Sequence, residues 1–102
     1  MITKEYAKDG KSCKVTFELP GDVDAKNVHI VGEFNDWDED ANPMTRQDDG
    51  SFTISLELET GRQYRFRYLL DAVRWENDWH ADSYIPNPFS SDDSIVDLSM
   101  PD

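Results

Sequence analysis

Three stretches of the chain return an apolar or aromatic side chain at every second position: Val15, Phe17 and Leu19; Phe52, Ile54, Leu56 and Leu58; Tyr64, Phe66, Tyr68 and Leu70. A period of two puts those side chains on one face of an extended strand. The opposite face of the third stretch then holds Arg65, Arg67 and Leu69. No window sustains the 3.6-residue period of a helix. Turn chemistry separates the stretches, at Pro20-Gly21-Asp22, Asp48-Asp49-Gly50 and Glu59-Thr60-Gly61. The pattern predicts an all-β fold, two antiparallel sheets packed as a sandwich of about seven strands.

The remaining strands are shorter or less regular. Val28 to Glu33 is rich in β-branched residues and suits a buried strand, and Pro43 to Arg46 reads as a short edge strand. Arg74-Trp75 begins a return strand. A loop full of Asn, Asp, Pro and aromatics, Glu76 to Asp93, precedes a last strand from Ser94 to Leu98. Residues 1–11 are polar and mixed and read as a loose lead-in, which leaves residues 12–102 as a single domain. A chain of 102 residues is long enough for one core.

The charge balance narrows the possible partners. Twenty-two acids stand against ten bases, for a net charge of −12. Such a surface repels phosphate backbones and anionic lipid, so neither nucleic acid nor a membrane is an expected partner. Most of the acids are explained by solubility. Cys13 is the only cysteine, so no internal disulfide forms and a reducing compartment fits. Residues 1–12 lack the apolar run of a signal peptide, and no later stretch is long and apolar enough to span a bilayer. The cytoplasm is the expected location.

Catalytic chemistry is hard to find. Among so many carboxylates, some pair meets the separation used in glycoside hydrolysis by chance, so that signal is empty. His29 and His80 lie far apart in sequence and lack neighbours at metal-ligand spacing. Cys13 has no partner histidine, no phosphate loop is present, and no cofactor or metal is expected. The chain reads as non-catalytic.

Binding chemistry is easier to see. The stretch Val28-His29-Ile30-Val31-Gly32-Glu33-Phe34-Asn35-Asp36-Trp37 runs as a strand, breaks at Gly32, and delivers Trp37 among short polar residues. Trp37 either holds out a flat contact surface or plugs one end of the core. Trp75 and Trp79 either join such a surface or cover the sheet edge. Arg65 and Arg67 point outward, toward a ligand or toward surface acids. Sugars present C–H patches to an aromatic face and hydroxyls to hydrogen-bonding groups around it, and the planar fork of arginine suits two hydroxyls at once.

The order Gly32-Glu33-Phe34-Asn35-Asp36-Trp37, then Pro43-Met44, Asp49-Gly50-Ser51-Phe52, Tyr64-Arg65-Phe66 and Trp75 resembles carbohydrate-binding module family 48, the isoamylase N-terminal or early set domain. The resemblance spans about Lys14 to Leu98. Relatives include the glycogen-binding domain of the AMP-activated protein kinase β subunit and the N-terminal domains of glycogen branching and debranching enzymes. The chain looks most like the short stand-alone bacterial form. The resemblance implies an immunoglobulin-like β-sandwich that binds an α-1,4-glucan or maltooligosaccharide. It implies that Trp37 and Trp75 stack on glucose rings, that Arg65 stands at the lysine of the family's Tyr-Lys-Phe, and that Phe89 and Asp93 stand at its leucine and asparagine. Asparagine can donate to a hydroxyl where ionised aspartate cannot, so Asp93 departs from the pattern. So does Asp71-Ala72-Val73-Arg74, where the family often has Asp-Gly. The alternative is a protein-interaction module with a decayed sugar site, docking a glycogen-metabolism enzyme or another partner; solvent exposure of Trp37 and Trp75 on one surface separates the two.

Overall fold

A computed structural model describes residues 1–89 and 91–99, so Ser90 in the expected 76–93 loop and the last three residues of the expected domain lie outside the described residues. Among the described residues nine strands form, all paired antiparallel: β1 (Ile2–Tyr6), β2 (Ser12–Leu19), β3 (Val28–Gly32), β4 (Thr45–Arg46), β5 (Phe52–Glu59), β6 (Gln63–Leu70), β7 (Arg74–Glu76), β8 (Ser83–Pro86) and β9 (Asp92–Asp97). One sheet runs β1-β2-β5-β4 and the other β3-β6-β9-β8. The strand β7 pairs with the second half of β6, beyond the stretch that β9 occupies. This is the immunoglobulin-like sandwich that the alternating pattern and the family resemblance imply.

The period-two residues meet where the two sheets face each other. Val15, Phe17 and Leu19 of β2 and Phe52 and Leu58 of β5 pack against Val28 and Ile30 of β3 and Tyr64, Phe66, Tyr68 and Leu70 of β6. Aromatic volume makes up for modest hydrophobic content. Phe17 and Phe66 meet edge-on with ring centroids 5.0 Å apart, and Phe66 meets Tyr68 at 5.6 Å. Each such ring contributes roughly 1.5–3 kcal/mol through burial, plus a smaller term from its geometry. Cys13 is buried in this core, and burial raises the pKa of its thiol.

Two strands go beyond the expected set. Residues 2–6 are not a loose lead-in: they form β1, paired along its whole length with β2 from Tyr6 opposite Cys13 to Ile2 opposite Phe17. The stretch reads as polar because Lys4 stands among the inward positions, where its Nζ pairs with Asp82 at 2.7 Å. An inward charge on an edge strand hides the alternation and also discourages pairing with other chains. The second addition is β8, inside the expected long loop. It is a four-residue edge strand ending at Pro86, the kind of position where a sheet tolerates proline.

Leu69 alternates outward as expected but is buried, between His29 on β3 and Trp75 on β7. With Val31 and Ile95, also buried and outside the main core, it gives the outer face of this sheet an apolar floor.

The β6–β7 hairpin bears directly on where Trp75 stands. Three residues, Asp71 to Val73, connect Leu70 to its partner Arg74; within them Asp71 and Ala72 both have positive φ, at 51° and 61°, and the Val73 N–H donates to the Leu70 carbonyl at 3.1 Å. This is the mirror-image hairpin turn, which favours glycine at its second position. Asp71 Oδ1 accepts from the N–H groups of Asn27 and Lys26, both at 2.9 Å, and these bonds hold its pKa below the usual carboxylate range.

Two outcomes follow for stability. Ala72→Gly removes a left-handed alanine and is expected to stabilise the fold by about 1 kcal/mol, read as a raised melting temperature. Because the folded pKa of Asp71 is lowered, its contribution is complete above the unfolded carboxylate pKa of about 4 and is lost as pH falls through the folded value. The stability advantage of the wild type over Asp71→Asn should therefore narrow in acid; equal curves from pH 7 down to pH 3 would contradict this.

Candidate functional site

The site begins at Gly32, where β3 presses onto β6. A Cβ at Gly32 would lie 2.4 Å from the carbonyl oxygen of Arg65 and 2.7 Å from Cβ of Phe66. Only glycine allows this approach. The chain then makes a single turn of 3-10 helix, Glu33–Asn35. Asn35 pins it: Oδ1 accepts from the Gly32 N–H at 3.0 Å, and Nδ2 donates to the Ile30 carbonyl at 3.0 Å and to Asn42 Oδ1 at 2.7 Å. Phe34 points back to the core, 5.8 Å from Phe17 and 6.1 Å from Tyr64 between ring centroids.

With one aromatic anchored inward, the next is thrown outward. Asp36 and Trp37 both adopt left-handed backbone conformations, at φ 57° and 58°. A bulky residue is rarely found there, and such strain persists only where the surroundings hold it. The Trp37 N–H donates to the Gly32 carbonyl at 2.9 Å and closes the turn. The indole stays 39% exposed.

Trp75 reaches the same surface from the opposite side. It stands directly across from Leu69 on the outward face and is also 39% exposed. Arg67, two residues from Leu69 on that face, sets its guanidinium 5.7 Å from the Trp75 ring centroid. The two indoles and Arg67 line an open groove of about 590 Å³. Its other wall is the β8–β9 hairpin, which contributes Asn87, Pro88 and Phe89, with Asp93 at its base. Phe89 is 86% exposed.

Of the residues singled out from sequence, Trp37, Trp75, Arg67, Phe89 and Asp93 come together around this groove. Arg65 does not line it. Its Nη1 donates to Asp93 Oδ2 at 3.3 Å, and its main-chain N–H donates to Glu33 Oε1 at 2.8 Å. Asp93 is itself buried, and its other oxygen accepts from Asn87 Nδ2 at 3.1 Å. Arg67 Nε is buried with no hydrogen-bond partner among the described residues. Trp79 lies outside the groove lining, its Nε1 donating to Glu76 Oε1 at 3.4 Å. Asn87 and Pro88 were not foreseen from sequence; the Asn87-Pro88 dipeptide is the turn signal that marks the hairpin tip.

The arrangement is one for holding a ligand with an apolar face and a polar rim. Two indole faces and a phenyl ring offer dispersion, and Arg67 offers donors. Among the described residues, no cluster of His, Cys, Asp or Glu is placed to hold a metal ion. No helix among them is long and apolar enough to cross a membrane.

Comparison with known proteins agrees with this chemistry. A family model described as carbohydrate-binding module 48 (isoamylase N-terminal domain) matches residues 22–85. The match includes Trp37, Arg67 and Trp75 but ends before Phe89 and Asp93. Similar relatives include the 1,4-alpha-glucan branching enzyme GlgB of Photobacterium profundum, 46% identical over 43 residues (41% of this chain and 6% of that one). The 1,4-alpha-glucan-branching enzyme of Emericella nidulans is 35% identical over 66 residues, 59% of this chain and 9% of that one. GlgB of Aquifex aeolicus is 38% identical over 45 residues, 41% and 7% respectively. The matched segments thus span less than a tenth of these curated relatives.

Gly32→Ala tests how the groove is built. The added methyl must push β3 from β6, and a loss of about 1–3 kcal/mol of stability is expected. Since Trp37 hangs from this contact, its fluorescence should change along with stability. An alanine variant with wild-type stability and emission would mean that the close approach does not hold the loop.

Proposed function

The chain belongs to carbohydrate-binding module family 48, and on that premise we propose that it binds α-1,4-glucan chains, as in glycogen or maltooligosaccharides, and performs no chemistry on them. Trp37 and Trp75 stack on successive glucose faces, Arg67 donates to ring hydroxyls between them, and Phe89 closes over the outer edge. The observation that carries this reading is the exposure of both indoles on a single groove. A fold that only docked a protein through a decayed site would have no need to keep two strained or edge-held tryptophans half in water and open to each other.

The groove also supports a binding role without catalysis. Hydrolysis of a glycosidic bond takes two carboxyl groups flanking it. Among the described residues the groove lining includes one, Asp93, and both of its oxygens are engaged by Arg65 and Asn87. The net charge of −12 favours a neutral polymer over nucleic acid or an anionic membrane. The lone buried Cys13 fits a reducing, cytoplasmic setting.

Two stacking contacts worth about 2–3 kcal/mol each, in the upper part of the range for ring stacking, imply a dissociation constant between millimolar and tens of micromolar. Titration with maltoheptaose or β-cyclodextrin, followed by tryptophan fluorescence, should saturate in that range. Trp37→Ala should weaken it by about tenfold or more. No response at millimolar sugar, or one unchanged by Trp37→Ala, would remove the proposal.

A further inference from the structure

Arg65 and Arg67 share the outward face of β6, and Asp93 stands on the same face of β9, two residues before Ile95, which pairs with Arg65. A carboxylate there is within the neighbourhood of either guanidinium. It pairs with Arg65, at 3.3 Å, and with Asn87. The consequence is a division of labour between two like residues. Arg65 is held beside the groove, and Arg67 is left facing Trp75 with its buried Nε unpartnered among the described residues.

The bonds of Arg65 go to two different loops. Its main-chain N–H holds Glu33, the first residue of the turn that presents Trp37. Its guanidinium holds Asp93, and Asp93 holds Asn87 at the start of the hairpin tip. Asn87 in turn uses its whole side-chain amide. Oδ1 accepts from the N–H groups of Phe89 at 2.9 Å and Ser91 at 3.2 Å, while Nδ2 donates to Ser91 Oγ at 3.0 Å and to Asp93. Nothing on that amide is left over for a ligand. Phe89, being almost fully exposed, is not fixed by burial; the hydrogen bond from its own N–H to Asn87 is what orients it.

We infer that Arg65, Asp93 and Asn87 are positioning residues, a hydrogen-bonded brace beneath the groove that sets Phe89 at its rim and joins that rim to the Trp37 turn. Asp93 therefore acts through Asn87 and Arg65, and the cation that meets the ligand is Arg67. This rests on the sugar-binding reading of the groove.

The test is a double-mutant cycle on the full chain, titrated with maltoheptaose, using Asn87→Ala, Phe89→Ala and the combination. Each single change is expected to weaken binding by about three- to tenfold, and the pair by no more than Phe89→Ala alone. Amide exchange at Phe89 should quicken in Asn87→Ala while exchange in β2 and β6 stays at its wild-type rate. Fully additive losses, or wild-type affinity in Asn87→Ala, would overturn the brace while leaving the sugar reading in place. A wild type that does not respond to maltoheptaose at all would overturn both.

Discussion

The contact between Gly32 and β6 governs what the outer face of this sandwich can present. Because no side chain intervenes, β3 ends flush against the backbone of Arg65 and the Cβ of Phe66. The chain must then turn sharply, and the turn separates two aromatics by direction. Phe34 goes to the ring cluster inside, and Trp37 goes out at a left-handed backbone position. One strand, β6, lies under all of this. Its inward face supplies Tyr64, Phe66, Tyr68 and Leu70 to the core, and its outward face supplies Arg67 to the groove, with Arg65 and Leu69 on the same face beside it. Stability and recognition are thus read from alternate residues of the same eight-residue segment.

The electrostatics of the groove differ from those of the protein as a whole. The chain is strongly acidic, yet among its described residues the groove lining has one cation, Arg67, and one carboxylate, Asp93, already bonded to Arg65 and Asn87. An unpaired carboxylate there could accept from a sugar hydroxyl, but it would also compete for Arg67. Directing Asp93 to Arg65 avoids that competition and keeps the donors of Arg67 for another acceptor.

The parts of the fold that were legible in the sequence are those whose pattern is local. Strands β2, β5 and β6 alternate without interruption, and the turns Pro20-Gly21, Asp49-Gly50 and Thr60-Gly61 mark four of their ends. Asn35 also follows a local rule, since short amides after a strand commonly bond nearby backbone. What escaped is what pairing decides. β1 is a strand because β2 offers it an edge, and its inward Lys4 is tolerated because Asp82 waits across the sandwich. β8 is a strand because β9 is. Arg65 and Arg67 are equivalent in sequence; which one enters the groove is settled by Trp75 standing opposite Leu69, a fact of hairpin register. The brace through Asn87 joins residues from three separate segments, so no single stretch could reveal it.

Trp75 rests beside a leucine that is itself sealed from water, above an apolar floor shared with Val31 and Ile95. An indole so seated cannot swing aside without wetting that floor, and Trp37 is locked by its turn. The groove is therefore formed before anything enters it. On the proposed sugar-binding reading, an arriving chain would meet two fixed indoles and lose mainly its own torsional freedom, which would favour ligands already coiled or cyclised into the right curvature over limp ones of the same composition.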